Sequence, residues 1–235
     1  MEQIVEWLTS SKHTVVLTGA GMSTESGLAD FRSKSGWWQQ IDPRTVATTE
    51  ALTSNYALFQ QFYAARIQAL EDVKPHDGHF ILANWQRRGL IQHIATQNVD
   101  GLHTLAGSDN VDELHGSIRS VRCQKCGQAA EMQHFLAKEA CPCGGKLRPN
   151  VVLFGENLPQ EAWNHTLSHM KAAQLVIVIG TSLEVYPVSQ LPHMTNGKTV
   201  YINLESGQSH FDLTIEGKAG ETLKIIDALL KHDTI

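Results

Sequence analysis

The sequence predicts an α/β fold, a Rossmann-like doubly wound parallel sheet that carries a small discontinuous domain. Short runs of β-branched and other apolar residues recur along the chain, and helical patterns lie between them. Continuous apolar strands that alternate with helices are typical of a parallel sheet covered on both faces. Two segments, 33–72 and 118–148, interrupt this alternation and therefore predict insertions that form a second, smaller domain.

The predicted elements follow from this alternation. The strands are expected at 14–17, 90–95, 175–179 and 199–202, and the helices at 2–10, within 48–71, and at 77–88, 159–172 and 220–231. Gly89 is expected to end the third helix, because glycine is the usual residue just past a helix C-terminus. The main domain then comprises 1–32, 73–117 and 149–235. A ligand is expected in the cleft between it and the small domain, which is formed by 33–72 and 118–148.

Composition excludes some function classes. The chain has 235 residues, 42% of them hydrophobic, and a formal net charge of −5. The mild acidity disfavours a protein that its overall field holds on nucleic acid or anionic lipid, because those partners favour a basic surface. No stretch approaches about 18 consecutive apolar residues, and acidic residues precede any positive region at the start of the chain. We therefore expect a cytoplasmic protein without a membrane or nucleic-acid partner.

A glycine-rich turn, 18–27, follows the first strand and indicates a phosphate site. Backbone N–H groups in such a turn approach a pyrophosphate closely, because glycine adds no side chain. A plain tight turn is the alternative, and the GxGxxG spacing of redox dinucleotide enzymes is absent, since Thr24 stands three positions after Gly21. A second small-residue turn, 180–182, and an amide–carboxylate run, 202–205, stand at the ends of later strands. Together these turns favour a nucleotide site.

The four cysteines form two close pairs, Cys123 with Cys126 and Cys141 with Cys143. Four thiolates from two such turns close a tetrahedral shell around zinc, so the pattern predicts one structural Zn²⁺ ion and makes 118–148 a zinc-binding module. The second pair is CxC rather than CxxC, which tightens that turn. Two disulfides, which are rare in a reducing compartment, and a redox CxxC, which leaves the second pair unexplained, are the alternatives.

Several motifs occur in a fixed order: GAGMS at 19–23, ADFR at 29–32, TQNVDGLH at 96–103, HG at 115–116, the four cysteines, FGE at 154–156, GTS at 180–182 and KAGE at 218–221. In this combination nearly the whole chain closely resembles the sirtuins, which are NAD-consuming protein lysine deacylases. The resemblance implies NAD as a consumed co-substrate, acyl-lysine proteins or peptides as partners, and nicotinamide and an O-acyl-ADP-ribose as products. The chain departs from the family at Ala29, where proline is more frequent.

The same resemblance implies three catalytic residues, His115, Asn98 and Asp100. His115 is the general base that deprotonates a ribose hydroxyl, and an imidazole suits this step because it titrates near neutrality. Asn98 and Asp100 line the nicotinamide pocket. A core or solvated histidine is the alternative for His115, one of 12 histidines, and its position directly before Gly116 favours the base.

The resemblance also implies the residues that bind the cofactor. Phe31 shields the anomeric carbon of the ribose, Gln97 touches the ribose, and Arg32 lies in the loop beside the cofactor. Asn98 and Asp100 belong to this set as well. Its other members are Gly19, Ala20, Gly21, Ser23, Gly180, Thr181, Ser182, Asn203, Leu204, Glu205, Lys218 and Ala219.

Two segments, 151–156 and 182–187, resemble the pair between which sirtuins bind an extended peptide. Main-chain pairing of this kind gives affinity with little sequence preference, so the acyl-lysine is the main determinant. A plain strand and a plain loop are the alternatives. The implied contacts are Val152, whose carbonyl accepts the substrate amide N–H, and Phe154, Gly155, Glu184 and Val185.

Tyr63 and Arg66 are three positions apart on a predicted helix and therefore share a face. In the sirtuin branch that removes succinyl and malonyl groups, a tyrosine and an arginine at this spacing hold the acyl carboxylate, which suits the guanidinium fork. That branch usually has threonine in place of Asp30, and an exposed helix face is the alternative for Arg66. We expect acetyl groups to be accepted, with succinyl and malonyl groups as a second activity.

Two other functions fit parts of the pattern. An NAD-dependent oxidoreductase would use the sheet and the glycine turn but would not consume the cofactor, and the absent GxGxxG spacing disfavours it. A non-catalytic module that binds NAD and zinc would not need His115, Asn98 and Asp100. Release of nicotinamide that depends on an acylated peptide distinguishes the three.

Overall fold

The computed structural model describes the chain except for residues 32, 34–35, 206, 208–209 and 233–235. The strands are Thr14–Thr18 (β1), His93–Thr96 (β2), Val111–Glu113 (β3), Gly116–Cys123 (β4), Ala129–Ala130 (β5), Leu147–Val151 (β6), Leu175–Ile179 (β7), Lys198–Asn203 (β8) and Leu213–Glu216 (β9). The α-helices are Glu2–Ser10 (α1), Trp37–Gln40 (α2), Pro43–Val46 (α3), Thr49–Ser54 (α4), Tyr56–Gln68 (α5), Asp77–Arg87 (α6), Leu102–Leu105 (α7), Met132–Leu136 (α8), Gln160–Ala172 (α9) and Ala219–His232 (α10). Two 3₁₀ helices span Ala20–Ser26 and Val188–Met194.

The main sheet has six parallel strands in the order β3-β2-β1-β7-β8-β9. Successive residues of a strand point to opposite faces, and both faces of β1 are buried. Val16 belongs to the core that contains residues of α1, α6 and α10. Its neighbour Val15 belongs to the core that contains Met170 of α9. The sheet is therefore covered on both sides, and the predicted doubly wound α/β fold is confirmed.

The strand order reverses between β1 and β7, which are the central neighbours of the sheet. From β1 the chain proceeds to β2 and β3 on one side, and from β7 to β8 and β9 on the other. Ligands of open α/β sheets bind outside the carboxyl ends of the strands at such a reversal. The topology therefore predicts a ligand site at the turns that follow β1 and β7.

The small domain has its own sheet and core. Strands β5, β4 and β6 form an antiparallel sheet in that order. One hydrophobic core joins helix α5, through Phe59 and Phe62, to Phe135 and Leu147 of the cysteine-rich module. The two insertions therefore pack together. Strand β4 begins at Gly116 and β6 ends at Val151, so this sheet extends past 118–148 at both ends, and the domain limits stay a prediction.

Several predicted elements differ in detail from the structure. The region 48–71 contains two helices, because Asn55, with φ −136° and ψ 53°, separates α4 from α5. Strand β2 begins at His93 rather than at residue 90. Gly89 follows the end of α6 in the left-handed conformation, as expected for a helix stop. None of the helices in the described part of the chain combines the length and the apolar character that crossing a membrane requires.

Candidate active site

A cleft of about 980 Å³ lies at the carboxyl ends of β1 and β7. The turns after these strands, 19–21 and 180–182, form part of its wall. Tyr63 and Arg66 of α5 and the segment 151–156 line it from the small-domain side. The cleft is the candidate active site, because it lies where the topology of the sheet predicts a ligand.

The glycines of the two turns allow the turns to pack directly on each other. The Gly21 N–H donates to the Gly180 carbonyl oxygen at 2.8 Å, and the Gly19 N–H donates to Ile179 at 3.0 Å. A Cβ atom on Gly21 would lie 2.8 Å from the Gly180 Cα, and one on Gly19 would lie 2.5 Å from the Thr181 Cβ. No other residue fits these positions. The backbone therefore forms a wall of the cleft without side-chain bulk.

Three buried polar residues form a hydrogen-bonded group beside this wall. The Ser23 hydroxyl donates to the Asp100 carboxylate at 2.7 Å, and the Asn98 amide donates to the Ser23 hydroxyl and to the Gly19 carbonyl, both at 3.0 Å. The Leu102 N–H donates to the second Asp100 oxygen at 2.9 Å. Asn98 lines the cleft, whereas Ser23 and Asp100 lie behind the lining residues. A direct cofactor contact of Ser23 or Asp100 therefore stays a prediction.

The His115 side chain lines the cleft and is oriented by the turn after β2. Its Nδ1 atom lies 3.1 Å from the Gln97 carbonyl oxygen. A carbonyl can only accept, so Nδ1 carries the hydrogen and Nε2 carries the lone pair that a general base needs. Gly116, at φ +71°, follows directly, and a Cβ there would overlap the carbonyl oxygen of Asn150. The HG pair thus combines an oriented imidazole with a position that only glycine fits.

The two segments expected to bind a peptide both line the cleft. Phe154 and Gly155 belong to the first, and Glu184 and Val185 belong to the second. In the first segment, the Val152 N–H donates to the His115 carbonyl at 2.8 Å. This bond ties the backbone of the segment to the predicted base.

Arg148 is a functional candidate that sequence reasoning missed. It is fully buried, and its guanidinium donates to both oxygens of Glu156, at 2.5 and 3.0 Å. Glu156 in turn accepts from the Leu153 N–H at 2.9 Å, and the Arg148 guanidinium also donates to the Val151 carbonyl. Although burial opposes ionisation, the bonds from Arg148 hold the pKa of Glu156 below its usual range. This buried ion pair holds the 151–156 segment in place.

The acyl-pocket candidates lie on the inner side of α5. The Arg66 guanidinium lies 5.1 Å from the centre of the Phe31 ring and 5.7 Å from that of Tyr63. Burial lowers the pKa of Arg66 and raises that of Tyr63. Among the described residues, no carboxylate forms an ion pair with Arg66. Arg66 is half-buried and faces the cleft, so the structure does not support an exposed helix face.

The other predicted cofactor-binding residues also line the cleft, apart from Arg32, which lies outside the described residues. Gln97 connects two turns, because its side-chain amide donates to the Thr181 hydroxyl at 2.9 Å. At the far rim, the Lys218 ammonium forms an ion pair with Glu221 at 2.9 Å. The lining residues of this group are Gly19, Ala20, Gly21, Phe31, Gln97, Asn98, Gly180, Thr181, Ser182, Asn203, Leu204, Glu205, Lys218 and Ala219.

The four cysteines form a separate candidate metal centre. None of them is in a disulfide, and their four Sγ atoms all lie within 4.8 Å of one another. The Sγ atoms of Cys123 and Cys143 are 3.5 Å apart, and those of Cys126 and Cys141 are 3.8 Å apart. Zn–S bonds of about 2.3 Å in a tetrahedron separate the sulfurs by about 3.8 Å. The thiols therefore fit one structural zinc ion without an open position.

The CxC spacing is accommodated by glycine. Gly144 has φ +77°, and a Cβ on Gly145 would lie 2.5 Å from the Cys123 sulfur and 3.3 Å from the Cys143 sulfur. The chain passes so close to the sulfurs that no side chain fits at this position. Glycine at this position therefore allows the chain after the tight second pair to pass close to the Cys123 and Cys143 sulfurs.

Comparison with known proteins decides the family. The Sir2 family model matches residues 19–187. The NAD-dependent protein deacetylase 1 of Geobacillus kaustophilus is 52% identical over 207 residues, which cover 86% of each chain. The NAD-dependent protein deacylase 2 of Pyrobaculum aerophilum is 41% identical over 229 residues, 94% of this chain and 92% of its own. The chain belongs to the Sir2 family.

Solved Sir2 structures agree with this membership. A structure described as a Sir2–p53 peptide–NAD⁺ complex has a TM-score of 0.87 and 34% identity, and covers 97% of this chain and 98% of its own. Another Sir2 structure, with deacetylated p53 peptide and 3'-O-acetyl ADP ribose, has a TM-score of 0.88 and 32% identity. It also covers 97% of this chain and 98% of its own. The resemblance to the sirtuins is confirmed, and the cleft is the candidate active site of a Sir2 protein.

Proposed function

We propose that this Sir2 protein is an NAD-dependent protein-lysine deacylase that transfers the acyl group of lysine to ADP-ribose and releases nicotinamide. The observation that carries the proposal is the convergence in one cleft of His115, the Asn98 amide and the 151–156 segment. The curated relatives named as NAD-dependent deacetylases and deacylases support the same activity. An oxidoreductase is not favoured, because the GxGxxG spacing of redox dinucleotide enzymes is absent and the curated relatives are named as deacetylases and deacylases.

The residues of the cleft fit NAD as the consumed co-substrate. NAD supplies a glycosidic bond whose rupture leaves a positively charged ribose carbon. The close-packed turns at Gly21 and Gly180 present backbone at one end of the cleft, where a pyrophosphate approaches without steric conflict. The amide of Asn98, held by Ser23, is available for the nicotinamide end. Phe31 lines the cleft, which supports the proposed role of its ring in excluding water from the ribose carbon.

His115 acts as the general base in this proposal. Its Nδ1–H is engaged by the Gln97 carbonyl, so Nε2 accepts the proton from a ribose hydroxyl. By then the acyl oxygen of the substrate has bonded to the ribose carbon in place of nicotinamide. The deprotonated hydroxyl attacks the acyl carbon, and water completes the release of free lysine and O-acyl-ADP-ribose. Asn98 and Asp100 act earlier, by holding nicotinamide in an orientation that favours its departure.

The acyl-lysine substrate is proposed to bind as an extended strand between 151–156 and 182–187. The N–H of Val152 is bonded to His115, so the Val152 carbonyl is the group that accepts from the substrate amide. Arg148 and Glu156 hold this segment from behind. Backbone pairing recognises an extended chain of any sequence, which supports a range of protein substrates.

We further propose that acetyl groups are accepted and that succinyl and malonyl groups are a second activity. Arg66 supports this, because its guanidinium faces the cleft and has no ion-pair partner among the described residues. A half-buried guanidinium that forms no ion pair within the described residues favours a substrate that brings a carboxylate. Tyr63 lies beside it and completes the recognition of the acyl end.

The same proposal includes the limits of the two domains and the cellular location of the protein. The NAD-binding domain comprises 1–32, 73–117 and 149–235, and the helical insertion with the zinc module forms the small domain. The hydrophobic core that the two insertions share supports their assignment to one small domain. The cluster of four cysteines, which fits a zinc ion, supports the cytoplasm as the location, because a reducing compartment keeps such thiols available as metal ligands.

The test is to incubate the protein with NAD and an acetyl-lysine peptide, with the same peptide unacetylated as the control. We expect nicotinamide release that depends on the acetyl group, and mass spectrometry should show O-acetyl-ADP-ribose and free lysine. A change at the nicotinamide absorption band without loss of cofactor would identify an oxidoreductase. Absence of both would leave a binding module and would overturn the proposal.

A further inference from the structure

Four histidines and one aspartate lie together at the end of the sheet opposite the cleft. His13 directly precedes β1, and His93 is the first residue of β2. His165 and His169 stand four positions apart on α9, so they share a helix face. Asp112 lies in the edge strand β3. The proposed deacylase function uses none of these residues.

Short distances connect the members of this histidine cluster. The Nδ1 atom of His169 lies 3.0 Å from the Nε2 atom of His13. The Nε2 atom of His169 lies 3.1 Å from the Nε2 atom of His165. The Asp112 carboxylate lies 2.9 Å from His93 Nε2 and 3.0 Å from His165 Nδ1. One nitrogen from each of His93, His165 and His169 lies within 4.8 Å of the other two. Three imidazoles therefore converge beside one carboxylate.

The ring nitrogens of the cluster face one another, and a neutral imidazole nitrogen is the group that binds metals. The Asp112 carboxylate lies against two of these rings, those of His93 and His165.

We propose that His93, His165 and His169, with the charge of Asp112, form a binding site for one divalent transition-metal ion, distinct from the cysteine centre. Imidazole nitrogens favour ions such as Ni²⁺, Co²⁺ and Zn²⁺. Two histidines at positions i and i+4 of a helix lie on the same face and can both coordinate one metal ion. His93, from a neighbouring strand, supplies the third ligand from the protein interior.

The geometry needs only small adjustments to close around an ion. Metal–nitrogen bonds of about 2.05 Å in a tetrahedron separate the nitrogens by about 3.3 Å. The nitrogens now lie within 4.8 Å, so shifts of about an ångström bring them together. The His165 side chain is 47% exposed, whereas that of His93 is fully buried. An ion can therefore enter from solvent at His165 and come to rest against His93.

A bound ion would join α9 to β2 and β3. The two strands lead directly to Gln97 and His115 at their carboxyl ends. The ion would thus stabilise the native state, because it binds the folded arrangement of residues that are far apart in the sequence. Stability gives a readout that does not depend on deacylation.

The test uses the full chain without a histidine tag and with zinc in its cysteine centre. Titration with Co²⁺, followed by calorimetry and absorption, should show one further ion per chain. Its spectrum should have the ligand-field bands of nitrogen and oxygen ligands and should lack a new thiolate-to-cobalt charge-transfer band. Ni²⁺ should also raise the melting temperature.

The variant His165→Ala should bind the further ion at least about tenfold more weakly and should lose the rise in melting temperature. Mutation of a residue that only supports a metal ligand already lowers metal affinity by about tenfold or more, and His165 is itself a proposed ligand. The residue is exposed, so the fold is retained, which circular dichroism verifies. His193→Ala, outside the cluster, should bind like the wild type. The proposal is overturned if no further ion binds, if His165→Ala binds it unchanged, or if both variants lose it equally.

Discussion

The Nδ1 atom of His115 lies 3.1 Å from the carbonyl oxygen of Gln97. The side chain of the same glutamine donates to the Thr181 hydroxyl, in the turn after β7. The orientation of the imidazole is therefore coupled to two turns of the main sheet, although His115 itself precedes the first strand of the small sheet. This single contact fixes which ring nitrogen is basic.

Replacing His115 by alanine is expected to abolish deacylation while NAD still binds. Loss of a general base lowers a rate by about 10²- to 10⁴-fold. Initial rates of O-acyl-ADP-ribose formation measure the loss, and calorimetric titration with NAD measures the binding. His134→Ala, an exposed histidine of the zinc module, is the control and should retain full activity. Full activity of His115→Ala would overturn the mechanism.

The variant Ser23→Ala tests the buried polar group behind the cleft. The change removes one of the two hydrogen bonds of the Asn98 amide and one of the two of the Asp100 carboxylate. We expect a loss of about 1–3 kcal/mol in the free energy of unfolding and a higher KM for NAD. Urea denaturation and steady-state kinetics measure the two effects. In the same 3₁₀ helix, Ser26 has a hydroxyl without a hydrogen-bond partner among the described residues, so Ser26→Ala should change neither. Equal effects of the two substitutions would contradict the role of Ser23.

Arg66→Met tests the acyl pocket. Peptides of equal length that carry acetyl-lysine or succinyl-lysine are compared on wild type and variant. Because a charged hydrogen bond is lost only with the acidic chain, kcat/KM for succinyl should fall by about tenfold to a hundredfold, whereas that for acetyl should hardly change. Unchanged succinyl turnover would remove Arg66 from this role.

Cys141→Ser is expected to remove the zinc and to weaken peptide binding more than NAD binding. Cys141 and Cys123 belong to the hydrophobic core of the small domain, and β6 of its sheet leads directly into Val152. Metal analysis, the KM for the acyl peptide and calorimetry with NAD measure the three quantities. A variant that lacks zinc but retains the wild-type KM for the peptide would refute this coupling.

Because two of its histidines are buried, we expect the protein to lose stability in mild acid. Burial lowers the pKa of His79 to about 2 and that of His103 to about 4. Below pH of about 6.5 the unfolded chain binds protons that the folded chain does not, so the free energy of unfolding decreases as the pH falls. Each histidine should contribute a loss on the order of 2 kcal/mol at pH 5. Urea denaturation at pH 7 and pH 5 measures the difference.

The variant His79→Gln isolates one of these two contributions. It should reduce the stability difference between pH 7 and pH 5 by on the order of 2 kcal/mol. His134→Ala, at an exposed position, should leave the difference unchanged. Wild-type protein that is equally stable at both pH values would contradict the prediction.

The central part of the fold was predictable because its strands are buried on both faces. The residues of β7 form an uninterrupted apolar run, and its predicted bounds match the structure. The edge strands β3 and β9 were not predicted, since they are short and only partly buried. Residues such as Asn98 and His115 were identified through their motifs, and the structure brings them to one cleft.

Other parts of the site could not be read from the sequence. The ion pair of Arg148 with Glu156 depends on the path of the intervening loop, which no local pattern specifies. The histidine cluster draws its members from separate elements, and only the spacing of His165 and His169 is a local signal. Contacts between distant segments were thus the part of the molecule that required the structure.

The close packing of Gly19, Gly21 and Gly180 has a consequence for redesign. Any side chain introduced at one of these positions collides with backbone or a Cβ atom of the facing turn, so no single substitution there can be compensated by a second one nearby. Engineering that aims to make the protein accept an altered dinucleotide must therefore leave this contact untouched. Variation belongs elsewhere in the cleft lining, at Leu204, Glu205 and Lys218, whose exposed side chains can be exchanged without displacing a strand.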